Sequence, residues 1–261
     1  MKELIQSQLI NIEKAYNVKV LYAVESGSRA WGFPSKDSDY DIRFIYIHPT
    51  EWYLSIDPQG VGKKRDVIEL PMSKELDLSG WEITKVLRLF RKSNPTIFEW
   101  LRSEPIYFHQ YDFISNLKRL ENAFYNPKAL FYHYINMAKK NIQQHQQIKL
   151  KNYLYALRAL FSCKWIELYD EIPPIKFQDL MEKLSLDKQL VFVIEDIIEK
   201  KISGWESNLV VQNRILENYI QSELIRLNDF GKKTFATLEM NDSKILDELF
   251  QHTLEEVWKT C

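Results

Sequence analysis

Glycine placement constrains this chain more than any other feature. A protein of this length would carry about 18 glycines at the usual frequency of about 7%. This one has 7, and five of them, Gly27, Gly32, Gly60, Gly62 and Gly80, fall within residues 27–80. Glycine permits left-handed turns and close approach to the backbone. Unusual backbone is therefore expected early in the chain, and the remainder, with only Gly204 and Gly231, reads as helix.

The hydrophobic pattern agrees. Leu4, Ile5, Leu9, Ile12 and Tyr16 recur at helical spacing, and the apolar run Val18 to Val24 then reads as a strand. Residues 25–38 have the composition of a loop or helix start, and Asp39 to Ile47 form a second strand pattern. Two more strands are expected at Asp66 to Leu70 and Ser73 to Leu78, after a linker holding Pro58, Gly60 and Gly62. The sheet is expected to end there.

From Gly80 the period becomes helical: Ile83, Val86, Leu87 and Phe90 mark one helix, and Asn94-Pro95 opens another. Further helices are expected over Leu130 to Ile142, Tyr153 to Tyr169, Gln189 to Ile202, Glu206 to Leu227 and Ser243 to Trp258. Their apolar stripes read as a bundle core. The expected fold is α+β, with a mixed sheet and helices over residues 1–110 and an all-helical bundle over 111–261; the boundary is soft, around 105–125. Gly204 and Gly231 read as breaks between helices.

With 45% hydrophobic residues and a net charge of -1 from 35 basic and 36 acidic side chains, the chain is neither disordered nor a general polyanion coat. The first residues lack the apolar core of a signal peptide, and no window approaches 18 apolar residues, so a cytoplasmic protein without a membrane partner is expected. Cys163 and Cys261 are too few for a disulfide framework and the five histidines show no ligand spacing. Both thiols read as structural.

Chemistry concentrates in two places. Side chains alternate along a strand, so Asp39, Asp41 and Arg43 share one face while Tyr40, Ile42 and Phe44 share the other. Carboxylates two residues apart stand about 6 to 7 Å apart at their α-carbons, a spacing from which hard cations can be held through oxygen. Upstream, Gly27-Ser28 follows the first strand, where backbone amides and a hydroxyl could cradle phosphate. Either element alone is common; strand, Gly-Ser, a ten-residue gap and Asp-x-Asp on an apolar strand is a specific combination.

These residues resemble the DNA polymerase beta-like nucleotidyltransferase superfamily. The longer run GSRAWGFPSKDSDYDIRFIY, with KSNPTIFEWLRSEPIY at 92–107 and KNYLYALRALFSCKWIE at 151–167, resembles its bacterial and phage branch associated with RNA repair. The likeness spans most of residues 20–180. It implies transfer of a nucleoside monophosphate from a nucleoside triphosphate to a hydroxyl, with release of pyrophosphate, using two magnesium ions (manganese as a substitute) held by three carboxylates. By that resemblance Asp39, Asp41 and a later acid are the catalytic and metal-binding residues. Asp77, between Leu76 and Leu78, is preferred for the third place, with Glu69 the main competitor and Asp66 and Glu82 behind it.

The resemblance also implies nucleotide contacts from Gly27, Ser28, Arg29 and Arg43. Lys151, Tyr155 and Arg158, at i, i+4 and i+7, lie on one helix face where such a fold closes over nucleotide. The plain alternatives are ion pairs for Arg29 and Arg43 and a solvated basic face with one packed tyrosine for the other three. Trp31, Trp81 and Trp100 read as core aromatics before base-stacking ones, Asn94 as a helix cap and Glu99 as a structural partner. The acceptor is open: an RNA 3′ end is favoured, against a protein or small-molecule adenylyltransferase, or a non-catalytic nucleotide- or RNA-binding relative. The sequence names no protein partner.

Overall fold

The computed structural model describes residues 1–56, 66–71, 75–143, 149–204, 213–235 and 243–259. The elements run α1 (Lys2–Tyr16), β1 (Lys19–Ser26), α2 (Gly27–Trp31), β2 (Tyr40–Ile47), α3 (Thr50–Tyr53), β3 (Val67–Pro71), β4 (Leu76–Glu82), α4 (Ile83–Arg91), α5 (Pro95–Arg102), β5 (Ile106–His109), α6 (Phe113–Arg119) and α7 (Glu121–Phe124). Then follow α8 (Pro127–Gln143), α9 (Leu150–Tyr169), α10 (Phe177–Lys183), α11 (Lys188–Ile202), α12 (Arg214–Thr234) and α13 (Lys244–Trp258). The fold is α+β: a mixed five-stranded sheet with helices, and a further set of helices.

The strand order is β3-β4-β2-β1-β5. β2 pairs antiparallel with β1 and parallel with β4, so the register sets Asp41 opposite both Ser26 and Asp77. Ile42, Phe44 and Tyr46 of β2 and Leu76 and Leu78 of β4 pack against Ile5, Leu9 and Ile12 of α1. That arrangement turns Asp41, Arg43 and Asp77 to the opposite face. Gly80 lies directly beside Phe44 in the parallel ladder, and a Cβ there would stand 2.1 Å from the Phe44 ring. The absent side chain leaves the space that the ring fills.

Chain ends of the elements follow local chemistry. Asn17, in left-handed conformation, closes α1. The Glu82 carboxylate accepts from the Thr84 and Lys85 amides at the start of α4, and Asn94 accepts from the Thr96 amide before Pro95 at the start of α5, as its cap reading predicts.

Two sequence expectations need correction here. The sheet does not end at residue 78: β4 runs to Glu82, so Gly80 lies inside a strand, and Ile106–His109 adds a fifth strand against β1. Four residues are too few to register as a strand pattern. Gly231 is not a break between helices; it sits within α12, where a Cβ would stand 2.8 Å from the Phe131 ring. The linker at Pro58 to Gly62, the start of the Ser73 strand and the first residues of the Glu206 helix lie outside the described residues, as does Cys261.

The chain divides into two compact units that interleave in sequence. One comprises Met1–Ala30, Asp39–Phe124 and Met240–Cys261; the other comprises Trp31–Ser38 and Tyr125–Glu239. α13 belongs with the sheet because its Phe250 ring packs edge-on against Tyr53 and its Glu256 accepts from the Asp112 amide. In the helical unit α9 is the central element, buried nearly all round, and Cys163 lies wholly within it, its thiol pushed up by burial. Gly204, beyond the end of α11, does take a left-handed conformation.

Candidate active site

β1 carries Ser26 to the end of the sheet, and the next residue, Gly27, takes φ +63 and opens α2. Opposite it, the Asp41 carboxylate lies so close that a Cβ on Gly27 would stand 2.2 Å from Asp41 Oδ2. Position 27 thus needs glycine twice over, for its conformation and for the carboxylate beside it. Ser28 follows, buried.

Arg43, two residues along the same face, spans both acids. Its Nη2 donates to Asp41 Oδ1 at 3.1 Å and its Nη1 to Asp77 Oδ2 at 2.8 Å. Burial raises the Asp41 carboxyl above the usual carboxylate range; Arg43 and Arg29 oppose that, while the charges of Asp77 and Asp39 add to it.

Asp39 is exposed, one residue before β2. Its backbone carbonyl accepts from Arg29 Nε at 3.1 Å, and the Arg29 guanidinium stacks 3.7 Å from the centroid of the Tyr40 ring. The other candidates for the third acid stand apart from Asp41. Glu69 is exposed on the edge strand beside Ser79, Asp66 is paired with Lys85, and Glu82 is buried at the far end of β4 as a helix cap.

Among the described residues no three Asp, Glu, His or Cys side chains converge as a ready-made cation site. The donors nonetheless suit a hard cation: two carboxylates on neighbouring strands, a third one residue outside the strand, and one acid raised first by burial and further by the charge of the others. The arginine stands between Asp41 and Asp77, where it balances charge.

Beneath the site is a group the sequence reading passed over. Glu25 is almost fully buried; its Oε1 accepts from the Asp41 amide at 3.0 Å and its Oε2 from the Tyr107 hydroxyl at 2.6 Å. Burial pushes its carboxyl up, against the pull of both hydrogen bonds. It ties the backbone of Asp41 to β5. A lone glutamate ending the apolar run before Gly27 was the available signal, but its partner lies on a strand too short to foresee.

Of the helix-face candidates, Lys151 is exposed, whereas Tyr155 and Arg158 contact Trp31 within the helical unit. The Tyr155 ring meets Trp31 edge-on at 5.0 Å, and the buried Arg158 guanidinium lies 4.4 Å from the centroid of the Trp31 ring. Trp81 and Trp100 pack on each other at 4.4 Å, in keeping with a core role.

These features define an α+β protein with acidic side chains at one end of a mixed sheet. The chain belongs to the RNA repair pathway DNA polymerase beta family, RlaP, whose family model matches residues 1–252. It is 44% identical over 262 residues to the uncharacterized protein YcgL of Bacillus subtilis (strain 168), covering 99% of this chain and 98% of that one. It also matches the crystal structure of a nucleotidyltransferase-like protein from Exiguobacterium sibiricum 255-15 at 14% identity, covering 98% of this chain and 81% of that one. The TM-score of that match, 0.34, is too low to carry an argument. No described helix is long and apolar enough to cross a membrane.

Proposed function

We propose that this protein is a metal-dependent nucleotidyltransferase that moves a nucleoside monophosphate from a nucleoside triphosphate to a hydroxyl, the favoured acceptor being an RNA 3′ end. The observation that carries the reading is the placement of Asp41 against Gly27 on one side and beside Asp77 on the other. Family membership supports the chemistry, and the family's description points to RNA.

In this reading Asp39, Asp41 and Asp77 would hold two magnesium ions, which supply charge neutralisation at the triphosphate and at the entering and leaving oxygens. The Gly27 and Ser28 end of β1 receives the triphosphate. Arg43 moves from the carboxylates to phosphate oxygens as nucleotide enters, and Arg29, fixed over Tyr40, presents a second cation. The acceptor oxygen attacks the α-phosphorus, the bond from that phosphorus to the β-bridging oxygen breaks, and pyrophosphate leaves. The acceptor's proton passes to water on the open side, where the Asp77 side chain is 45% exposed. Glu25 fixes the backbone of Asp41 throughout.

The test is incubation with each labelled triphosphate and magnesium, with RNA bearing a free 3′ hydroxyl, with the same RNA blocked at 3′, and with protein acceptors. Label on the open 3′ end alone supports RNA as acceptor; label on protein moves the acceptor to the adenylyltransferase reading. Triphosphate binding without label or pyrophosphate under any of these conditions overturns catalysis.

A further inference from the structure

Residues of α4 and α13 line an open-mouthed cavity of about 340 Å³ within the sheet-bearing unit, on the side of α4 turned toward α13. Its size falls in the range of small-molecule sites, about 300 to 1,000 Å³. Two arginines line it. Arg88 is exposed and only loosely held, 3.8 Å from Asp66, which Lys85 engages more closely at 3.1 Å. Arg91 is the more telling, because its Nε is buried with no hydrogen-bond partner among the described residues. A buried donor of a charged group is costly to leave unsatisfied, and a water, an ion or a polar ligand group would satisfy it.

The remaining walls say which ligand. Ser243, the N-cap of α13, makes no side-chain bond to that helix. Asp247 stands one turn on, and Leu246 and Phe250 supply an apolar surface. A bare phosphate would satisfy the arginines but be repelled by Asp247. A ligand bearing phosphate, hydroxyl or amine donors and a flat apolar face would use all three kinds of wall.

We propose that this cavity is a second nucleotide site that binds a nucleoside monophosphate, free or at the end of a nucleic-acid strand. Arg88 and Arg91 pair with the phosphate, Asp247 accepts from a ribose hydroxyl or base amine, and Phe250 flanks the base. The site shares no residue with the Asp41 centre.

The test uses the full chain in chelator, which separates it from nucleotidyl transfer. Calorimetry with each nucleoside monophosphate, with the matching nucleoside, with inorganic phosphate and with a 5′-phosphorylated dinucleotide should show the monophosphate binding at least about tenfold more tightly than phosphate or nucleoside alone, a difference of about 1.4 kcal/mol. Arg91→Gln should weaken it by about tenfold or more and Arg88→Ala by a smaller factor, while Asp41→Ala leaves it unchanged. A dinucleotide that binds as well as the monophosphate assigns the ligand to strand ends; a weaker one assigns it to free nucleotide. Should Arg91→Gln fail to fold, Arg88→Ala and Asp247→Asn, both at exposed positions, carry the test. No saturable binding, binding unmoved in folded arginine variants, or binding lost in Asp41→Ala would overturn the proposal.

Discussion

The carboxylate of Asp41 occupies the space that any side chain at position 27 would need. Gly27→Ala must therefore push the acid aside as well as hold alanine at φ +63. Gly32, at φ +91 with nothing within 4 Å of the place a Cβ would take, isolates the conformational part. Gly32→Ala is expected to lower stability by about 1 to 2 kcal/mol with nucleotidyl transfer largely retained. Gly27→Ala should lose as much stability and, in addition, nearly all transfer. Thermal melts and labelling of both variants check this; equal activity in the two would contradict it.

Arg43 bridges Asp41 and Asp77, so it and a divalent cation do overlapping electrostatic work. In chelator Arg43→Ala should melt below the wild type. Millimolar magnesium should then raise the melting temperature of the variant more than that of the wild type, because binding to the native state alone adds stability by mass action. A melt insensitive to magnesium in both proteins would count against cation binding by these acids.

Glu25 gives a pH prediction with a defined sign. Its ordinary value is 4.5, and burial raises it in the folded protein. The folded state thus binds the proton more tightly than the unfolded state, and the destabilisation from ionising Glu25 is absent below pH 4.5 and grows as pH rises toward the folded value. Glu25→Gln removes that dependence. The stability of the wild type relative to the variant should fall from pH 4.5 to 7, measured by urea unfolding at each pH; a constant difference would show that Glu25 does not titrate as placed.

Gly80 lies under the Phe44 ring, and Gly80→Ala should overpack the face that α1 covers. The expected loss is about 1 to 3 kcal/mol. Phe44→Leu in the same chain should recover part of it. If the double variant is as unstable as the sum of the two single ones, the two positions do not press on each other.

Much of this was legible in sequence because the signals were local. Val18 to Val24 and Asp39 to Ile47 are apolar runs bounded by turn chemistry, and each became a strand of the sheet centre. Alternation alone set Asp41 and Arg43 on one face. What stayed hidden depends on neighbours distant in the chain: Asp77 meets Asp41 only through a parallel register, and Glu25 meets Tyr107 across 82 positions. Glycine scarcity pointed to the right segment, but that the Asp41 carboxylate stands beside Gly27 depends on the pairing of β1 with β2. α13 is an amphipathic stripe at the end of a helical run, and nothing in its period reveals that it packs on the sheet-bearing unit.

The most direct test of the central claim is release of pyrophosphate and transfer of label from α-labelled triphosphate to a 3′-hydroxyl RNA, with magnesium, by wild type, Asp41→Asn and Asp77→Asn at matched folded concentration. The account predicts metal-dependent transfer by the wild type and a loss of about a hundredfold or more in each variant, on the scale at which removing one group that stabilises developing charge acts. Undiminished transfer by Asp41→Asn would contradict it.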